Sequence, residues 1–336
     1  MWWATWLSLA TTGCGGSGND QRTPDAGQGF GHNSPRPDCH YAVDPSRVPY
    51  AMPQVVATAW GAPVKLPTLN TPCPEDAIEI SRDGTTLYFY WSPTVNASFD
   101  ERLNGTAGTY YAQRVAADLG SFANPRFFDL RRGVSGGASD GEVSFTPTGE
   151  YVYFHSTRSA NTGYRQSPPV DDPMDIYVAP IVNGEPGPAE NLGEVVNSAY
   201  LDGEHCLSPD GTKLYLASTR PGGLGGADIW VSARAGNAWS EPANLGAPIN
   251  STGGELQPAF AADDPNTMFF VSDRDGPASI YKATFGGAVW SAPVMMLTGY
   301  VGEPSLVTDG SVMYFVHVLV DDKGVFGSDI WYVKRN

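Results

Sequence analysis

The chain has little charge, few cations and few cysteines, and it shows no sustained helical patterning. Only 17% of its 336 residues are charged while 41% are apolar, which excludes a disordered polyelectrolyte. Lys and Arg number 20 against 36 Asp and Glu, a net charge of −16. The clustered cations that a nucleic-acid backbone requires are missing, so nucleic acid is excluded as a partner. No apolar run reaches the length of a membrane-spanning helix. No CxxC or His/Cys spacing suggests zinc, and no GxSxG, HExxH or phosphate-cradling glycine loop appears. The Gly-rich stretch GGLGG (222–226) precedes a strand rather than a helix. What is abundant is Gly (39), Pro (28) and aromatic residues, the material of short strands and tight turns.

The first residues, MWWATWLSLATTG, are apolar and uncharged and lead to Cys14. Such a run ending in small residues is a secretory signal. Small residues directly before a Cys resemble the lipobox of bacterial lipoproteins, which implies acylation of Cys14. The expected organisation is a signal over 1–14, a flexible Gly/Pro-rich tether over 15–53 and a folded domain over 54–336. The implied location is the bacterial cell envelope, lipid-anchored and periplasmic or cell-surface, or otherwise secreted. An export signal implies an oxidising compartment. Cys39 and Cys73 sit in Pro-rich loop text and are the expected disulfide, leaving Cys206 reduced within an apolar strand.

One block recurs five times: SRDGTTLYFYW (81–91), TPTGEYVYFHSTR (146–158), SPDGTKLYLASTR (208–220), ADDPNTMFFVSDR (262–274) and VTDGSVMYFVHV (307–318). Each is a turn followed by an alternating apolar strand, with DG or TG supplying the hairpin geometry in most copies. A short strand precedes each block. Another follows it, as in DIYVAPI (175–181), DIWVSAR (228–234) and DIWYVKR (329–335). A fourth element closes the unit, as in WSEPANL (239–245) and WSAPVMML (290–297). We call these strands a, b, c and d. Four antiparallel strands in a repeat of roughly 56 residues mark a β-propeller blade. The first recognisable element is a d strand, WGAPVKL (60–66), and the last is a c strand. The expectation is therefore an all-β, five-bladed propeller whose ring is closed by an N-terminal outer strand pairing with residues 329–335.

The segments SPDG, LYLASTR, GGLGGADIW and WSEPANLG carry a resemblance to the TolB-type, WD-like propeller repeat of bacterial envelope proteins, over about residues 57–335. The resemblance implies a propeller that binds partners or ligands at the envelope and is not an enzyme. The expected partner is an envelope protein or a cell-wall glycan, with membrane contact through the lipid only and a monomeric chain. The alternative is a glycan-active, arabinanase-like glycosidase or a lectin-like propeller, since five-bladed propellers also house glycosidases with paired carboxylates.

Candidate site residues follow from where blades agree and differ. Arg158, Arg220 and Arg274 end strand b, and Asp175, Asp228 and Asp329 open strand c. Because they recur, they are expected to pin loops, an Arg and an Asp pairing across one b–c connection. The a–b and c–d turns share one face and are tight. The b–c and d–a loops share the other, and the b–c loops of the first two blades are long (92–108 and 159–174). Binding is expected on that face. Glu75, Asp140, Asp202 and Glu255 occupy equivalent places just before strand a, near the channel mouth; Val301 breaks this series. Glu142, Glu204 and Glu303 form a second register, broken by Ala77 and Gln257. No cofactor is expected, apart from a cation that such an acidic mouth would attract. Phe99, Tyr164, Tyr200 and Tyr300 are the candidate aromatic contacts.

Overall fold

A computed structural model describes residues 32–39, 44, 46–93, 95, 106–132, 138–158, 161–162, 174–236 and 238–336. The described residues form strands and turns and contain no helix. They make five antiparallel sheets, the blades of a five-bladed propeller. Blade 1 has strand a at Glu75–Ile80, b at Thr86–Trp91, c at Gly108–Arg114 and d at Phe122–Phe127. In blade 2, a, b and c are Asp140–Phe145, Tyr151–Ser156 and Asp175–Val182; in blade 3, Asp202–Leu207, Lys213–Ser218 and Asp228–Ala235. Strand d of these two blades is broken into dipeptide pieces, Glu185–Pro186 with Glu190–Asn191 and Ala238–Trp239 with Ala243–Asn244. Pro186, Pro188 and Pro242 fall in these stretches and have no N–H to give to the ladder. Blade 4 has Glu255–Ala261, Asp264–Ser272, Ser279–Thr284 and Val294–Thr298, with Gln54–Val55 added outside as a fifth strand. Blade 5 has Val301–Leu306, Val312–Asp321 and Gly324–Lys334.

The ring closes as the order of elements predicts. Val64–Lys65 is the outer strand of blade 5, with Val64 opposite Tyr332 and Lys65 opposite Trp331, and Trp60 bridges Arg335. A side-chain device repeats at the closure. Asn70 Oδ1 accepts the Ile330 N–H at 2.7 Å, and its Nδ2 donates to the Ile330 carbonyl at 2.9 Å. Asn197 does the same to Ile176, and Asn250 to Ile229. The junction formed by the chain ends is thus chemically equivalent to junctions within the chain.

The a–b turns are closed by their own side chains. Asp210 Oδ1 accepts from Ser208 Oγ at 2.5 Å and from the Thr212 N–H at 3.0 Å, and these donors hold its carboxyl down at about 2. Gly211 takes a φ of 71° there, a conformation in which a Cβ would also press on Pro147.

Apolar cores lie between blades. Phe89, Tyr110, Phe122 and Tyr314 are fully buried between blades 1 and 5, and Phe269, Met313 and Phe315 between blades 4 and 5. Each such side chain contributes roughly 1.5–3 kcal/mol of burial. Trp60 and Trp239 also pack across blade boundaries, edge-on to Phe269 and Tyr153 respectively.

The folded unit reaches further toward the N-terminus than residue 54. Cys39 and Cys73 form a disulfide, and the segment 32–39 lies along strand d of blade 1, with Pro35 bridging Arg126. Residues 46–53 strap the long-loop end of blade 5. Arg47 Nε donates to Asp321 Oδ2 at 2.6 Å, the Tyr50 N–H to the Val320 carbonyl at 2.8 Å, and His317 Nε2 lies 2.9 Å from the Ala51 carbonyl. Cys14 lies outside the described residues.

Candidate binding site: the central channel and the long-loop face

The five a strands surround the axis, and each carries the same irregularity. Pairing with strand b breaks between the second and fifth residues, a β-bulge. The third residue of each strand takes a left-handed backbone: Ala77 (φ 46°), Glu142 (52°), Glu204 (46°), Gln257 (54°) and Glu303 (54°). None is glycine, so the conformation is strained five times over. A bulge re-aims a side chain, and here it sends the second-register residues into the channel. Gln257 donates through Nε2 to Glu303, and its Oε1 accepts the Glu303 N–H at 2.9 Å.

The two acidic registers have opposite surroundings. Glu75, Asp140, Asp202 and Glu255 do not edge an open mouth; all four are buried, at 0–4% exposure. Each meets a guanidinium and, in three blades, the preceding loop. Arg158 Nη2 is 3.2 Å from Asp140 Oδ2 and donates to the Leu130 carbonyl at 2.6 Å. Arg220 pairs with Asp202 and donates to the Val196 carbonyl at 2.7 Å, while Asp202 also accepts from Ser198. Arg274 is 3.1 Å from Glu255, which also accepts from Ser251 and Ser272. Glu75, Asp202 and Glu255 have both carboxylate oxygens engaged internally, whereas Asp140 uses Oδ2 and leaves Oδ1 without a hydrogen-bond partner.

The repeated Arg and Asp residues do pin loops, but not to each other as expected. Each Arg reaches back to the acid of strand a in its own blade. Each Asp of strand c is instead met from strand d: Asp175 by Asn191 at 2.7 Å, Asp228 by Asn244 at 2.8 Å and Asp329 by Lys65 Nζ at 2.8 Å. Asp175 and Asp228 also accept backbone N–H groups of the b–c loop, from Thr162 and Leu224. The reason is register: the b–c connection ends beside the loop that enters strand a.

Blade 1 has Pro93 where blades 2, 3 and 4 carry this Arg, and it borrows one. Arg36 Nη1 lies 3.3 Å from Glu75 Oε1 and 2.9 Å from the Leu69 carbonyl, with its guanidinium over Phe89. Arg158 and Arg274 stack in the same way over Phe154 and Phe270. Sequence reasoning missed Arg36, which lies in text that reads as tether. Burial still pushes the Glu75 carboxyl up to about 8, although Thr71 and Arg36 pull it down.

Among the described residues, no cation meets the second register. Burial pushes Glu142 and Glu303 well up; the charges of Glu204 and Glu303 push Glu142 further, and those of Glu204 and Asp76 push Glu303 further, while hydrogen bonds from Glu142 and Gln257 pull Glu303 back. Glu204 is raised by burial, and Asp76 is raised to about 7 by burial and by Glu204. No Lys or Arg is among the groups acting on these four. His155 joins them: a ring nitrogen of His155 and carboxylate oxygens of Glu142 and Glu204 all lie within 4.8 Å of one another. The sequence offered a signal, since the residues matching His155 in the other blades are Tyr90, Ala217, Val271 and Val316. A channel cavity of about 60 Å³ is lined by Glu79, Glu142, His205, Cys206, Gln257 and Glu303, among others.

On the long-loop face, strands b and c of blade 5 run on as an extended hairpin to Asp321 and Gly324. The strap over it exposes Val48, Tyr50 and Met52 at 72, 58 and 50%. Tyr200 is exposed, while Tyr300 is half-buried against the core between blades 1 and 5. Phe99, Tyr164 and most of the two long b–c loops lie outside the described residues.

No family model matches the chain, and no curated protein matches it. Solved structures do. TolB from Acinetobacter baumannii is 12% identical with a TM-score of 0.44; the match covers 80% of this chain and 56% of that one. A structure described as "Glycoside hydrolase" is 13% identical with a TM-score of 0.53, and the match covers 86% of this chain and 92% of the other. An alpha-L-arabinofuranosidase from Lactobacillus brevis is 13% identical with a TM-score of 0.46, over 78% of this chain and 90% of the other. Likeness at this identity is a likeness of fold.

Proposed function

We propose that this chain is a non-catalytic propeller of the bacterial envelope, anchored through Cys14, that captures an envelope protein or cell-wall glycan on its long-loop face. The observation that carries the reading is the strap: a segment with Val48, Tyr50 and Met52 turned to solvent lies beside the extended blade 5 hairpin. Three exposed apolar groups set close together in one short segment on a rigid scaffold are what a binding surface offers. On the opposite face the blade 3 a–b turn is closed by its own side chains, and the exposed Val115, Val182 and Val289 are spread over the c–d turns of three blades. The b–c connections of blades 1 and 2, which leave and re-enter the sheets on the same end as the strap, are long in the sequence.

The glycan-active alternative has its support in the likeness of fold to a glycoside hydrolase. The channel cavity of the described residues, about 60 Å³, is smaller than the roughly 300 Å³ of a small-molecule pocket, so a sugar in this reading sits on the long-loop end and not in that cavity. The test is a pull-down from cell-envelope extract with and without glycan competitors. Three baits are compared: the unaltered chain, a chain with 96–105 replaced by a short Gly-Ser turn, and Lys213→Ala on the tight-turn face. Capture lost only with the shortened loop is the expected result. Equal loss with Lys213→Ala contradicts the face. Mass spectrometry of protein from a bacterial host tests acylation of Cys14.

A further inference from the structure

The first-register acids each hold a guanidinium, while the channel gathers Asp76, Glu142, Glu204 and Glu303 with no cationic side chain of the described residues among the groups acting on them. Buried carboxylates are costly unless protonated, paired or bound to a metal. Three further observations point to the metal. The first is a nitrogen donor at one of five equivalent positions: His155 stands where the other blades have Tyr90, Ala217, Val271 and Val316, and its ring lies against Glu142 and Glu204. The second is space made for that ring. A Cβ on Gly141 would sit 3.3 Å from His155 Nε2, and one on Gly203 would sit 3.3 Å from Nδ1 and 2.9 Å from Met174 Sδ. The third is unsatisfied donor chemistry. Glu142 Oε2, Glu204 Oε2 and His155 Nδ1 are buried without a hydrogen-bond partner, as are both ring nitrogens of His205, a residue 3% exposed in the channel wall. Native proteins rarely leave such atoms unmet.

We propose that the channel binds one divalent first-row transition-metal ion through Glu142, His155 and Glu204, at the boundary of blades 2 and 3. Two carboxylates and an imidazole suit Zn²⁺ or Mn²⁺ and not Ca²⁺, which takes oxygen ligands. The ion gives the second register the positive charge that arginines give the first, and it ties two inner strands directly across a blade boundary. Three protein ligands leave a position for water or for a neighbouring carboxylate.

The test is calorimetric titration of the metal-free full chain with ZnCl₂ at neutral pH. The expected result is one equivalent bound, with Ca²⁺ at least ten-fold weaker. Glu142→Gln, Glu204→Gln and His155→Asn should each weaken Zn²⁺ at least ten-fold, while exposed Glu241→Gln should not. Zn²⁺ binding that ignores all three channel substitutions overturns the proposal, as does tighter binding of Ca²⁺ or none of Zn²⁺; in the last case shared protons hold the carboxylates together. Should the channel variants fail to fold, electron–nuclear double resonance of Mn²⁺ bound to the unaltered chain decides. Nitrogen coupling supports the site, and a purely oxygen-ligated ion contradicts it.

Discussion

Two registers of one strand, two residues apart, treat the same charge in opposite ways. Asp140 and Glu142 belong to a single strand a, as do Asp202 and Glu204. The first of each pair turns toward the loop that enters its strand and finds an arginine. The second is turned by the bulge into the axis and finds other carboxylates. Counting acids along the chain cannot separate these fates; the backbone conformation at one residue does. The comparison teaches that charge on an inner propeller strand is structural or available for a ligand according to the side of the bulge on which it falls.

The comparison is broken most severely at the arginine. Arg158→Met leaves Asp140 buried and unpaired, which should cost about 3–5 kcal/mol. Chemical denaturation measures this, and a loss under about 1 kcal/mol would mean that the pin is idle. Next in size is the borrowed pin of blade 1. Cys39→Ser with Cys73→Ser opens a link spanning 34 residues in sequence and should cost about 2–4 kcal/mol. Arg36→Met added to that pair should then cost less than it does alone, because the disulfide holds Arg36 in place; full additivity would show that the two act separately.

The fold was legible because blades announce themselves through DG turns and alternating aromatic strands, and because the d-first, c-last order of elements admits one closure. The site was legible in part. Glu142, Glu204 and Glu303 stand out as a series in the sequence. Their placement inside the channel depends on left-handed backbone at non-glycine residues, which no local pattern signals. Arg36 was hidden for another reason: its partner Glu75 is 39 residues away, and its setting is Pro-rich text without periodicity. His155 shows only when the five repeats are aligned, where it stands against Tyr90, Ala217, Val271 and Val316; within its own strand it alternates like any half-buried residue.

Smaller effects sharpen the contrast. Glu303→Gln keeps shape and hydrogen-bonding capacity beside Gln257 and removes one of four crowded carboxyl groups. It should shift stability of the metal-free chain by no more than about 1 kcal/mol, whereas Asp202→Asn, which takes the anion from Arg220, should cost more. Equal losses in one denaturation series would erase the distinction between registers.

The smallest expected effect is on the strap. Burial lowers the pKa of His317, against the upward pull of the Ala51 carbonyl and Asp329 and with a further downward push from Lys65; Trp331 packs edge-on to the ring. A lowered folded value means that the neutral ring is preferred in the folded chain. Its contribution is present above the ordinary value of 6.5 and is lost as pH falls below it toward the folded value. Amide exchange at residues 50–56, corrected for intrinsic rates, should therefore lose protection as pH falls from about 7.5 to about 5. Protection that stays constant would separate His317 from the strap.

The most direct test of the contrast between registers is anomalous diffraction from crystals of the full chain grown with Zn²⁺, with data on both sides of the zinc absorption edge. The account predicts one strong peak within bonding distance of Glu142, His155 and Glu204 and none beside Asp140, Asp202 or Glu255, where arginine already supplies the charge. A channel without a peak, or zinc found only on surface groups, would contradict it.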